Sequence, residues 1–247
     1  MCADTQVTPL VTNYTQHVWA TYVEMGLISR WLMVSLEASL YRWQGLDGVG
    51  HTDGPGDSRI GLWTGLVRKP FNFTLGVILG NPSGNPKPAG GGVPPGVAGD
   101  RIARILPTGD GEYDAEVRAA FGKTFGPRHL WPFRHYVDAE VGYWLRTNGF
   151  AQQFTYKLEV GTTPLLPFLD RFTVILRLSG VEAVTDGKNL LVSPTGLTSG
   201  ASWLAYGFEV QIRLPMGMGA AIGLDSAGHG RVVAAGEQLK VSLIQSW

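Results

Sequence analysis

Five histidines, His17, His51, His129, His135 and His229, are the side chains here best suited to general acid–base work near neutral pH. A hydrolytic site would need one of them to share a face with a serine and a carboxylate. His51, His129 and His229 fall in segments that read as loops. His135 lies on an apolar strand face, and His17 stands at the ill-defined start of a strand. No such triad is assembled, so the chain is expected not to be an enzyme. The glycine-rich run from Asn81 to Asp100, NPSGNPKPAGGGVPPGVAGD, lacks the Gly-Lys-Ser/Thr ending that seats phosphates and reads as a long loop. Asp53-Gly-Pro-Gly-Asp57 brings two carboxylates together, well short of the ~6–8 oxygens that calcium takes, and reads as a solvated loop. The single cysteine, Cys2, excludes an internal disulfide framework and a Cys-based zinc site. No metal and no cofactor is expected.

The remaining polar chemistry is a set of charged residues that recur at every second position. Glu24, Glu37, Asp114, Glu116, Asp138, Glu140, Glu159 and Glu209 share one face with Arg59, Arg118, Arg134, Arg146, Lys157, Arg171, Arg177, Arg213 and Lys240. If that face closes on itself, these residues line a lumen. There they either pair, because a lone charge in a narrow interior is costly to desolvate, or set the radius and selectivity of a passage.

The elements that must position them are strands. Period-2 alternation is clearest over Glu112–Lys123, Phe133–Arg146, Asp170–Gly180, Trp203–Arg213 and Gln238–Trp247. It is weaker over Val18–Leu27, Trp31–Trp43, Arg59–Val67, Phe71–Gly80, Ala151–Gly161 and Met216–Leu224. That predicts eleven antiparallel strands in one domain spanning residues 1–247. Asn148-Gly149 predicts a two-residue type I′ hairpin, since both central residues need positive φ. Pairing Thr147 with Phe150 then opposes Trp144 to Gln153, Gly142 to Thr155, Glu140 to Lys157 and Asp138 to Glu159. Long Gly/Pro-rich segments, Gly45–Asp57, Asn81–Gly111 and Glu182–Ala201, fall at one end of the sheet. Short turns fall at the other, with the Asn148-Gly149 hairpin as the exception.

Charges are balanced at 20 basic and 20 acidic residues and make up only 16% of the chain, so nothing suggests a nucleic-acid partner. No stretch approaches the ~18 apolar residues of a transmembrane helix, and the first residues lack a signal-peptide pattern. Alternation alone fits a soluble barrel with its apolar face inward or a membrane barrel with that face outward. Four features favour the membrane. The strands are long enough to cross the ~25 Å apolar band when tilted. The polar face is rich in small residues (Gly61, Gly65, Gly76, Gly142, Gly161, Gly207, Gly217, Gly219 and Gly223). Aromatics such as Phe71, Phe73, Phe133, Tyr143, Phe154, Tyr156, Phe172, Tyr206 and Phe208 sit near strand ends on the apolar face. Trp247 ends the chain in phase with the apolar residues of its last strand.

That ending, QLKVSLIQSW, resembles the C-terminal assembly signal of bacterial outer-membrane barrels. The wider chain, from ATYVEMGLISRWLMVSLEASLYRW through DSRIGLWTGLVRKPFNFTLGVILGNPSG to the C-terminus, resembles the outer-membrane transporters of the phenol meta-degradation pathway. The resemblance implies a twelve-stranded barrel in the outer membrane of a Gram-negative bacterium, a porin-like passage for small, apolar or aromatic molecules. It implies outer-membrane lipid and the barrel assembly machinery as partners, with Trp247 as the assembly signal. The alternative is a non-conducting barrel with a salt-bridged, plugged lumen that binds a partner or stabilises the envelope. The even strand number of such barrels asks for one strand beyond the eleven. Either Ala3–Thr12 pairs despite Pro9, or the chain begins in the first external loop.

Overall fold

The computed structural model describes residues 13–28, 31–47, 50–86, 106–126, 132–187, 200–231 and 236–245. Eleven long strands form where alternation predicts them: β1 (Tyr14–Ile28), β2 (Leu32–Leu46), β4 (Ser58–Val67), β5 (Asn72–Asn81), β6 (Asp114–Phe125), β7 (Phe133–Arg146), β8 (Gln153–Pro164), β9 (Phe172–Ala183), β10 (Ser202–Arg213), β11 (Met218–Arg231) and β12 (Glu237–Gln245). A twelfth, the short β3 (Gly50–Gly54), lies inside the segment read as the Gly45–Asp57 loop and pairs only with the outer half of β2. All belong to one antiparallel sheet in the order β1-β2-β4-β5-β6-β7-β8-β9-β10-β11-β12, curled as a half-barrel. Ala3–Thr12 and Trp247 lie outside the described residues. Among the described residues no helix is long and apolar enough to cross a membrane.

The two faces of the curled sheet differ sharply. Glu116 is fully buried, while Leu176 is 61% exposed and Val241 72% exposed. The charged face is thus the sheltered one and the apolar face the outer one. A soluble barrel would have the reverse arrangement.

The Asn148-Gly149 hairpin forms as predicted, with φ of 50° and 78° at its central residues and a 3.0 Å bond from Phe150 N–H to the Thr147 carbonyl. Register follows from it: Trp144 opposes Gln153, Glu140 opposes Lys157 and Asp138 opposes Glu159. The weak alternation of Trp31–Trp43 also has a cause. Trp19 pairs with Tyr41 but Ala20 with Ser39, so Leu40 is an extra, bulged residue. The sheltered phase therefore passes from Ser35, Glu37 and Ser39 to Arg42 and Gln44. One small-residue assignment is corrected. Gly217 is not on the polar strand face but ends the 3-10 turn Pro215–Gly217 with φ 74°, which a glycine adopts without strain.

Candidate functional site

Across the sheltered face the charges join hands. Arg59 on β4 meets Asp114 at 3.7 Å and Glu116 at 3.5 Å; Arg118 meets Glu116 at 2.8 Å and Glu140 at 3.1 Å. Lys157 bridges Glu140 at 3.2 Å and Glu159 at 3.3 Å. Arg177 then reaches Glu159 at 2.7 Å, Glu209 at 3.2 Å and Asp225 at 3.9 Å, and Lys240 on β12 closes the series against Asp225. Cation and anion alternate from β4 to β12 because same-face residues on neighbouring strands are the ones that touch. Each pair joins strands no more than two apart, so the belt runs along the wall. Asp225 belongs to this belt but escapes sequence reasoning, because the alternation that marks its strand stops at Leu224 whereas the strand runs on to Arg231.

Glycines on the same face make room for it. Trp63 lies over Gly76 and Tyr136 over Gly161, each directly across from its glycine. A Cβ at Gly142 would collide with Glu116 Oε1, one at Gly80 with Asp114, and one at Gly207 with Asp225. The small-residue pattern is therefore a set of seats in which larger partners lie flat.

The other predicted lumen residues stand apart from the belt. Glu24 accepts a 2.5 Å bond from Tyr22 O–H. Glu37 opposes Arg59 in register, but Arg59 turns away to its acids and stacks 4.0 Å from the Trp144 ring centroid. Glu24, Glu37 and Asp138 make no ion pair among the described residues. A cavity of about 40 Å³, the scale of a water molecule or so, is lined by Tyr22, Glu37, Arg59, Trp63 and Arg118 among others. Arg134, Arg171 and Arg213 are exposed at the short-turn end, with Arg171 in a 3-10 turn (Leu169–Arg171) rather than a strand.

Arg146 has a separate surrounding. At the long-loop end of β7 it is almost wholly buried, paired with Glu112 through Nε and with Asp110 at 3.0 Å, and its guanidinium lies 4.3 Å from the Phe150 ring centroid. These acids belong to a segment, Leu106 to Glu112, that folds into the mouth of the half-barrel. Gln44 Nε2 donates to the Pro107 carbonyl at 2.6 Å and Thr52 Oγ1 to that of Leu106 at 2.6 Å. Thr108 N–H donates to the Asn85 carbonyl at 3.0 Å while Asn85 N–H donates to Thr108 Oγ1 at 3.0 Å, and Asp57 accepts from Asp110 N–H and Gly84 N–H, both at 2.9 Å. Burial, reinforced by Asp57, pushes the Asp110 carboxyl up to about 6 against the pull of Arg146. Burial likewise pushes Glu112 up to about 7, with Arg146 opposing and Asp110 adding to the rise. The two carboxylates of Asp53–Asp57 diverge, Asp53 accepting from Tyr41 O–H at 3.2 Å while Asp57 anchors this segment. The short hairpin at the long-loop end also finds its reason here, since Thr147 Oγ1 donates to the Tyr113 carbonyl at 2.7 Å. A longer loop would compete with the segment for that space.

The histidines are dispersed. His17 and His51 flank the Trp43 ring, and His135 Nδ1 lies 3.0 Å from Thr162 Oγ1. The chain matches no protein-family model, and no curated protein matches it.

The belt predicts a coupling. Replacing Glu140 or Lys157 singly should destabilise the barrel, and the charge swap combining Glu140→Lys with Lys157→Glu should recover part of the loss. The recovery is incomplete because Arg118 and Glu159 then face like charges. Paired cysteines at 140 and 157 should cross-link, opposed Cβ atoms lying roughly 4.5–5.5 Å apart. Additive single and double variants without a cross-link would show that the two do not interact.

Proposed function

We propose that the chain is an outer-membrane barrel through which small molecules pass passively, and that it is not an enzyme. The observation that carries this reading is the direction of the ion pairs. Charges that satisfy one another along the wall need no partner across the axis, so the interior is stabilised without being filled. The exposed apolar outer face and the strand lengths support placement in a bilayer. Apolar or aromatic solutes, as in the phenol-pathway transporters that the sequence resembles, are the expected cargo. Assembly would involve the barrel machinery and the Trp247 signal.

One observation favours the second reading, a non-conducting barrel: the Leu106–Glu112 segment occupies the long-loop mouth. Planar-bilayer conductance separates the two. The purified protein should conduct, and replacing Asn81–Gly111 by a short Gly/Ser linker should raise the conductance. With five cations against six acids in the belt, selectivity should be weak and lean towards cations, helped by Glu24 and Glu37. Absence of conductance in both proteins would favour the non-conducting barrel.

A further inference from the structure

The Leu106–Glu112 segment is a strap fastened at several points. Its backbone is held by Gln44, Thr52, Asn85 and Asp57. Its other fastening is electrostatic, and there the charge does not balance. Glu112 and Asp110 share one guanidinium, that of Arg146, whose side chain is 1% exposed. Oε1 of Glu112 takes Arg146 Nε, whereas Oε2 is buried with no hydrogen-bond partner. A buried carboxylate oxygen without a donor is costly as an anion and much less so when it carries a proton. Among the described residues the surroundings do not correct the excess. Asp57 and Asp114 add negative charge, and Arg59 is committed to Asp114 and Glu116. Arg42, near Tyr14, Asp57 and Asp110, reaches none of these acids within ion-pair distance, and its Nε and Nη1 are buried without hydrogen-bond partners.

We propose that this strap is a pH-responsive closure of the long-loop mouth: a proton taken up by the Asp110–Glu112 pair holds it against Arg146, and loss of that proton loosens it. The sign follows from linkage. Both carboxyls have raised proton affinity in the fastened state, Asp110 to about 6 and Glu112 to about 7, whereas a released strap returns them to water and to ordinary carboxylate values. The fastened state therefore binds protons more tightly, is favoured as pH falls, and is penalised once pH rises above both values. The opposite expectation, that acid would break the pairs with Arg146 and free the strap, would need burial to be the weaker effect. Here burial is the first cause of both shifts.

The device bears on passage only if the barrel conducts, so the experiment has one arm independent of conduction. Hydrogen exchange of the amides from Thr108 to Glu112, corrected for intrinsic rates, is compared in lipid at about pH 5.5 and about pH 8.5. Protection is expected to be at least ~10-fold greater at the lower pH. In the Asp110→Asn, Glu112→Gln variant, where neither group can ionise, the difference should vanish. Equal protection of the wild-type strap at both pH values, greater protection at the higher one, or a response that survives in the double variant would overturn the proposal. The wild-type comparison decides the sign even if the double variant misassembles. Conductance should fall as pH is lowered from about 8.5 to about 5.5. A strap that responds in a barrel silent at every pH, strap-deleted form included, would refute the channel reading and leave the closure standing.

Discussion

Leu176→Arg should prevent much of the chain from reaching the folded, lipid-inserted state, whereas Ser179→Arg on the opposite face of the same strand should not. Leu176 lies mid-strand on β9, between Val160 and Phe208, and is 61% exposed on the apolar face. An arginine there meets hydrocarbon if the barrel is embedded, at a cost of roughly 2–4 kcal/mol near the midplane. Ser179 faces the sheltered side opposite Lys157, so its arginine would feel a like charge across one strand pair, of order 0.2–1 kcal/mol. Urea titrations of refolding into lipid vesicles measure both. Equal losses would mean that the apolar face does not meet lipid.

The second large effect is expected at Glu116. Its side chain is fully buried and accepts from Arg118 through Nε and Nη2, from Thr155 Oγ1 at 2.6 Å, and lies 3.5 Å from Arg59. Glu116→Gln should cost about 3 kcal/mol or more, because two guanidiniums lose the acid they share while remaining sheltered. Glu140→Gln should cost less, since Glu140 and its partner Lys157 are more exposed, at 18% and 35%. Combining Glu116→Gln with Arg118→Met should recover part of the loss by removing one stranded charge. The measurement is the shift in urea midpoint. Stability unchanged by Glu116→Gln would mean that the belt contributes nothing net and that its acids are retained for another reason.

How much of this was legible in the sequence depends on what kind of contact each residue makes. Strands such as β7 and β9 could be read because one face is uniformly apolar, and in a half-barrel every side chain lies on one of two faces. The Glu140–Lys157 pair was readable because Asn148-Gly149 allows so few turn geometries that register propagates from it. β3 was not, since Gly-His-Thr-Asp-Gly has neither length nor alternation and pairs only because β2 runs on past β4. Arg146 is legible on the correct face, and Glu112 as the first residue of an alternating segment, although β6 begins only at Asp114. Asp110 is not legible, because it comes from a loop, where no periodicity relates sequence spacing to position. The glycine seats could be noticed as composition but not assigned, because the side chain that fills each one belongs to another strand.

Those seats have a consequence for calibre. A tryptophan at 63 or a tyrosine at 136 is wide enough to narrow a passage if it stands upright from the wall, yet each lies flat because the residue across from it has no Cβ. If the barrel conducts as proposed, its bore is governed by atoms that are missing. A methyl group at position 76 or 161 would then act as a wedge, tipping an aromatic ring towards the axis and constricting the passage without altering a single charge.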